Sequence, residues 1–284
     1  MTFLSNEEIR NAVRAALAED VGPGDVTTLS TVPESACATA RMVARCPLTL
    51  AGIDFAKAAF LEISPAVQIR TLATDGQRIS ADALILEVTG NTRALLTAER
   101  VALNFVQRLS GVATMTSKFV DAVQGTAAKI LDTRKTTPGW RRFEKYAVAA
   151  GGGTNHRFGL FDAVLIKDNH LAALAKEVPD PVATAVKRAR AAYPGLRIEI
   201  EADTLEQVKE ALTARPDIIL LDNMSLSQMR EAVALCKGAA QTEASGGVNL
   251  SSVRAIAQTG VDFISAGALT HSAPAVDIAL DFVE

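Results

Sequence analysis

Six short apolar runs, at residues 129–132, 163–166, 197–201, 217–221, 241–245 and 262–265, constrain this chain more than any other feature. The last four start 20, 24 and 21 residues apart, and helical patterns lie between them at about 204–213, 225–237 and 250–258. Strand and helix in alternation imply parallel strands with helical crossovers. Spacing alone does not separate an open doubly wound sheet from a barrel. No Gly-x-Gly-x-x-Gly follows the first strand, which counts against a dinucleotide fold. Each run is followed or ended by a polar, charged or glycine element: Asp132-Thr133-Arg134-Lys135, Lys167-Asp168-Asn169-His170, Glu201, Asp222-Asn223, Gly246-Gly247 and Ala266-Gly267. Active sites of α/β barrels sit at that rim, so the pattern favours a barrel with one shared site.

The preceding part reads differently. Ser5 and Glu8 form a capping box for a helix from Ser5 to Glu19, which Gly22-Pro23-Gly24-Asp25 breaks. Residues 38–50 and 84–89 read as strands and 53–62 as a helix. Thr92 to Leu109 is a long amphipathic helix, followed at Gly111 by a second helical stretch to about Val123. Strands and helices mix without repetition, an α+β pattern.

Composition excludes several classes. The chain has 284 residues, 49% hydrophobic and 21% charged, so it folds and buries a large core. A formal net charge of −3 does not suit a protein that coats nucleic acid or an anionic membrane. No apolar run reaches membrane-spanning length, and the N-terminus lacks a secretory pattern. Cys37, Cys46 and Cys236 are too few and scattered for a disulfide framework or zinc site. A reduced, cytoplasmic protein is expected.

Local charge says more. Between Arg134 and Lys167 stand Arg134, Lys135, Arg141, Arg142, Lys145, Arg157 and Lys167 against Glu144 and Asp162, with His156 as a further donor. Guanidinium forks and ammonium groups suit a small substrate with several negative charges. Thr136-Thr137-Pro138-Gly139 and Gly151-Gly152-Gly153 interleave with them and shape the backbone, although Arg141, Arg142 and Lys145 sit at helical spacing and partly suit ordinary surface. Glu243-Ala244-Ser245-Gly246-Gly247 and Ser265-Ala266-Gly267 place glycine turns after adjacent late strands, where backbone N–H groups cradle a phosphate. A helix opening near Leu250 would add its dipole. Glu201 and Asp222, at neighbouring strand ends, suit a divalent ion held through water, sugar hydroxyls or a developing cation. Glu199 shares a face with Glu201 and reads as a buried partner for a cation. The residues describe a barrel enzyme joining a phosphorylated sugar to an acidic second substrate.

Thr133-Arg134-Lys135-Thr136-Thr137-Pro138-Gly139, Glu144-Lys145-Tyr146-Ala147-Val148, Asn155-His156-Arg157, Leu165-Ile166-Lys167-Asp168-Asn169-His170, Glu199-Ile200-Glu201, Leu220-Leu221-Asp222-Asn223 and Glu243-Ala244-Ser245-Gly246-Gly247 resemble the quinolinate phosphoribosyltransferase family, one of the type II phosphoribosyltransferases. Trp140 stands where an aliphatic residue is expected. The resemblance implies transfer of phosphoribosyl from phosphoribosyl pyrophosphate to quinolinate with decarboxylation, giving nicotinate mononucleotide, pyrophosphate and CO2 for NAD synthesis, with Mg2+. It implies an N-terminal α+β open sandwich, 1–112, an incomplete TIM-like parallel α/β barrel, 113–272, and a C-terminal helix, 273–284, packing back on the first domain. It implies that Arg134, Lys135, His156, Arg157 and Lys167 surround the quinolinate carboxylates, and that Arg100 reaches in from the partner of a homodimer with shared sites, which can assemble further. Glu201 and Asp222 would lie near ribose and hold the metal indirectly; Ser245, Gly246, Gly247 and Gly267 would hold the 5′-phosphate. Lys135, Lys167, Glu201 and Asp222 are the expected catalytic residues. No nucleic acid or membrane partner is expected.

Three rivals remain to be weighed. The phosphoribosyltransferase-like protein associated with molybdate transport shares the glycine triplet and basic block. A Schiff-base aldolase would use Lys167. A phosphosugar sensor would keep the cradle and lose the catalytic set.

Overall fold

The computed structural model describes residues 4–283, apart from 177 and 179. The chain forms two compact units. One runs to Ser117 and includes Arg142–Gly152 and the segment from Ala273 onward; the other comprises Lys118–Arg141 and Gly153–Ser272. The division into these units falls inside a helix, and neither unit is contiguous in sequence. Among the described residues no helix is long and apolar enough to cross a membrane.

The first unit contains α1 (Asn6–Val21), α2 (Val26–Thr31), β1 (Cys37–Ala44), β2 (Leu48–Thr49), α3 (Ile53–Ile63), β3 (Gln68–Thr71), β4 (Arg78–Ile79), β5 (Leu84–Asn91) and most of α4 (Thr92–Ala122). The capping box is present: Ser5 Oγ accepts the Glu8 N–H at 3.1 Å, and the Ser5 N–H donates to Glu8 Oε2 at 2.8 Å. The expected strand over 38–50 is two strands separated by a turn. Helix α3 lacks a side-chain cap at Gly52, and Asp75 serves instead, accepting the Gly52 and Ile53 N–H groups at 2.7 and 3.1 Å.

The expected break at Gly111 does not occur, and α4 is one helix of 31 residues. A Cβ on Gly111 would lie 2.1 Å from the Pro274 carbonyl oxygen, so glycine admits a crossing chain rather than ending a helix. The same chain is fastened by Arg108 Nη1 to the Ala273 carbonyl at 2.6 Å and by Gln107 Nε2 to the Ile278 carbonyl at 2.7 Å. The C-terminal segment is also not the expected helix. Residues Ile278–Val283 form a strand, β12, antiparallel to β1 in a sheet ordered β12-β1-β5-β3. Strand β1 has a free edge there, Ile278 and Leu280 alternate into the core, and Arg45 binds Asp281 at 2.7 Å. Glu284 lies outside the described residues.

The second unit carries β6 (Lys129–Leu131), β7 (Val164–Ile166), α6 (Asp168–Leu174), α7 (Pro181–Ala192), β8 (Ile198–Ala202), α8 (Leu205–Ala214), β9 (Ile218–Asp222), α9 (Leu226–Cys236), β10 (Gln241–Ser245), α10 (Val253–Ala257), β11 (Phe263–Ser265) and α11 (Ala268–His271). Helix α5 (Arg141–Ala150) interrupts it and belongs almost wholly to the first unit. The strands are parallel in the order β6-β11-β10-β9-β8-β7. Each of the six apolar runs became one of them. Helix α10 begins at Val253, later than expected, because Asn249 Oδ1 binds the N–H groups of Ser251 and Ser252 in a preceding turn.

Candidate active site

One cavity of about 610 Å³ opens at the carboxyl ends of these strands. It is lined by residues that end or follow all six, from Arg134 after β6 to Lys167 after β7. In a flat sheet the two edges would be roughly 24 Å apart, five strand spacings. One cavity touching both therefore requires the sheet to curl, which decides for the barrel. The edges β6 and β7 do not pair with each other among the described residues, so the barrel is incomplete. A larger groove of about 860 Å³ lies at the opposite strand ends, among Arg197, Asp217, Gln241 and Asp262. There Asp217 and Asp262 are engaged in holding the backbone N–H groups of Ile198 and Thr242, a structural use suited to the lower face of a barrel.

The cationic wall is built on a buried carboxylate. Asp132, fully buried at the end of β6, accepts the His156 N–H at 2.8 Å and the Asn155 side-chain amide at 2.7 Å. This ties the 155–157 loop to the β6 rim. Arg134 and Arg157 both line the cavity. Arg134 Nε is buried without a hydrogen-bond partner. Burial and the nearby Arg134 charge press the Arg157 pKa downward. Two guanidiniums close together, one with an orphaned donor, are a preformed demand for an anion.

Lys135 and Lys167 stand on the same cavity. Lys167 Nζ forms an ion pair with Glu201 Oε2, linking the cationic wall to a strand-end carboxylate. Its side chain is 46% exposed, so it is neither desolvated nor unpaired as a Schiff-base lysine must be. Asp222 accepts the Asn223 amide at 2.8 Å. Glu201 and Asp222 are hard oxygen donors on adjacent strands, a donor set that fits Mg2+ bound through water.

Ser245, Gly246 and Gly247 line the same cavity. Gly246, at φ +93°, has no room for a Cβ, which would lie 2.1 Å from Asn223 Oδ1. Gly267 is not among the lining residues; a Cβ there would press on His271 and the Lys135 side chain. Arg100 belongs to the first unit, where it is exposed on α4.

Two functional features were not anticipated from the sequence. Glu243, only 1% exposed, projects from β10 toward His156, whose Nε2 lies 3.4 Å from it and 3.1 Å from Glu199. Its inward direction was readable from Ser245, two residues on along the same strand. Glu199, also buried, lies against the His156 ring. Burial alone would lower the His156 pKa, but hydrogen bonds to Glu199 and Glu243 outweigh it and raise it. The second feature is Asp132, whose position at the end of an apolar run was its only signal.

Comparison with known proteins supplies the rest. Residues 25–110 match the family model for the quinolinate phosphoribosyl transferase N-terminal domain, and 112–281 match that for the C-terminal domain. A nicotinate-nucleotide pyrophosphorylase [carboxylating] from Mycobacterium leprae is 46% identical over 278 residues, with 96% of each chain covered. A probable enzyme of the same name from Bacillus subtilis is 42% identical, over 98% of this chain and 94% of its own. The structure of the nicotinate-nucleotide pyrophosphorylase from Francisella tularensis superposes with a TM-score of 0.93 at 41% identity, covering 99% of this chain and 98% of that one.

Proposed function

The chain belongs to the quinolinate phosphoribosyltransferase family, and from that premise we infer how it works. It transfers phosphoribosyl from phosphoribosyl pyrophosphate to quinolinate with loss of CO2, forming nicotinate mononucleotide and pyrophosphate for NAD synthesis. The observation that carries this reading is the single cavity lined together by Arg134, Arg157, Glu201, Asp222 and the Ser245-Gly246-Gly247 turn.

The residues divide the work. Arg134, Lys135, Arg157 and Lys167 hold the adjacent carboxylates of quinolinate and aim the ring nitrogen at ribose C1, chiefly a positioning contribution. Ser245 and the two glycine N–H groups take the 5′-phosphate. Glu201 and Asp222 face the positive charge that grows at C1 as pyrophosphate departs. They would also hold Mg2+, which when bound offsets the charge of the leaving group. Nitrogen attack leaves a quaternised ring, whose positive nitrogen stabilises the electron pair left on the neighbouring ring carbon when its carboxylate leaves as CO2, and a proton from solvent then completes the C–H bond of the product. No covalent nucleophile is needed. The partner subunit's Arg100 completes the cationic wall in a homodimer, in the cytoplasm.

The test is CO2 release from quinolinate by the purified protein with Mg2+ and phosphoribosyl pyrophosphate. We expect stoichiometric CO2 and nicotinate mononucleotide. No release, or equal turnover of nicotinate, would overturn the assignment.

A further inference from the structure

The two edge strands of the barrel, β6 and β7, face a seam that no strand pairing closes among the described residues. The cationic wall stands astride it. Arg134 follows β6, and Arg157 precedes β7, its Nη1 donating to the Ala163 carbonyl at 3.3 Å. In a closed barrel, ladder hydrogen bonds hold neighbouring strand ends in register. Here side chains must set how far apart the two guanidiniums stand.

The ties across the seam change in kind along it. Beside β6 the backbone still pairs, the Thr154 N–H donating to the Ile130 carbonyl at 2.8 Å and the Asp132 N–H to the Thr154 carbonyl at 3.2 Å. Next comes the buried Asp132 carboxylate, which accepts the Asn155 side-chain amide and the backbone N–H of His156. Beyond it the tie is Arg141. Its Nη2 donates to the Arg134 carbonyl at 3.2 Å, its Nε to Thr136 Oγ1 at 3.0 Å and its Nη1 to the Phe158 carbonyl at 3.1 Å. One rigid plane of donors thus joins the backbone of Arg134 to the backbone one residue past Arg157. The Phe158 end is itself fixed, since Asp162 accepts the N–H groups of Phe158 and Gly159 at 2.6 and 2.8 Å.

Three features separate this arrangement from the ordinary surface that helical spacing suggests for Arg141. The side chain is half-buried, and its bonds go to uncharged oxygens. It does not line the cavity, so it acts through other residues. The loops it joins carry like charges, and the Arg134 charge is felt at Arg157. Without a tie, repulsion across an open seam would spread them.

Resting on the function assigned above, we propose that Arg141 is a positioning residue. By clamping the two loops across the seam it sets the spacing of the Arg134 and Arg157 guanidiniums, and with it the preference for carboxylates on adjacent ring carbons. A lysine at this position keeps the charge and loses the fork that spans three acceptors.

The test is calorimetric binding of benzene-1,2-dicarboxylate and benzene-1,3-dicarboxylate to the full-length protein. The two probes carry the same charge at different spacing. Wild type is expected to prefer the 1,2-isomer by at least about tenfold, because paired guanidinium forks discriminate by geometry. Arg141→Ala weakens the 1,2-isomer by about 10- to 100-fold, the scale of a misplacement near 1 Å, and the 1,3-isomer by less than about threefold. Arg141→Lys follows Arg141→Ala. Equal weakening of both isomers, full recovery with lysine, or a wild type without preference overturns the clamp. Where Arg141→Ala does not fold, Arg141→Met, which keeps the apolar stem, supplies the same comparison. In turnover, kcat/KM for quinolinate falls by the same factor while the KM for phosphoribosyl pyrophosphate stays within about twofold, and an equal loss for both substrates overturns the proposal. A wild type that prefers the 1,2-isomer but releases no CO2 from quinolinate overturns the assigned function and leaves the clamp standing.

Discussion

A guanidinium with an unpartnered buried nitrogen is an unfinished structure, and Arg134 is one. Its cost is relieved when an anion arrives, so Arg134→Lys, which keeps the charge and loses the fork, should still damage binding. We expect the KM for quinolinate to rise at least tenfold, about 1.4 kcal/mol, with little change in melting temperature. Tyr146 is a residue of the opposite kind, fully committed: its hydroxyl donates to Asp75 at 2.5 Å. Burial and the Asp75 charge push its pKa up. A group whose pKa is raised on folding contributes stability that is complete below the ordinary tyrosine range and lost as pH climbs through it, above about 10. Wild type should therefore lose stability in alkaline denaturation more steeply than Tyr146→Phe, which at neutral pH costs about 1 kcal/mol. Parallel curves would refute this. Arg134, Glu201 and Asp222 were legible because each follows an apolar run. Arg100 was singled out only through resemblance, since nothing in its helix distinguishes it from a solvated arginine. Glu243 was read only as part of the run before a glycine turn, because its approach to His156 depends on a residue nearly ninety positions earlier in the chain.

Among elements, α4 separates two readings of a glycine. If Gly111 only weakened the helix, Gly111→Ala would stabilise by about 1 kcal/mol. The Pro274 carbonyl makes the opposite prediction: a Cβ cannot enter without moving backbone, and we expect a loss of about 3 kcal/mol in denaturant unfolding. The six parallel strands were visible because each is a short apolar run between helical patterns. Strand β12 was not, because six residues are too few to separate periods of 2 and 3.6, and its partner β1 lies more than two hundred residues upstream. The choice between open sheet and barrel was likewise hidden, for curling is a relation among strand ends and no strand encodes it alone.

At the scale of the whole molecule, the inferred dimer makes a prediction that no monomer can satisfy. Arg100→Ala and Lys167→Ala should each be inactive alone. Mixed under conditions that exchange subunits, they should recover up to about a quarter of wild-type activity per site, the statistical yield of one intact site in half of the dimers. No recovery after verified exchange would rule out a shared site.

The discontinuous first unit also bears on synthesis. Strand β1 is made early and its neighbour β5 soon after, but β12, which covers its other edge, follows every other described strand in the chain. At about 5–20 residues per second the nascent chain carries that edge uncovered for roughly ten seconds to most of a minute. An open strand edge is a template for pairing with other chains. Strand β12 thus covers an edge that stays open while the intervening residues are made, and a chain truncated before Ile278 would leave that edge of β1 without its partner.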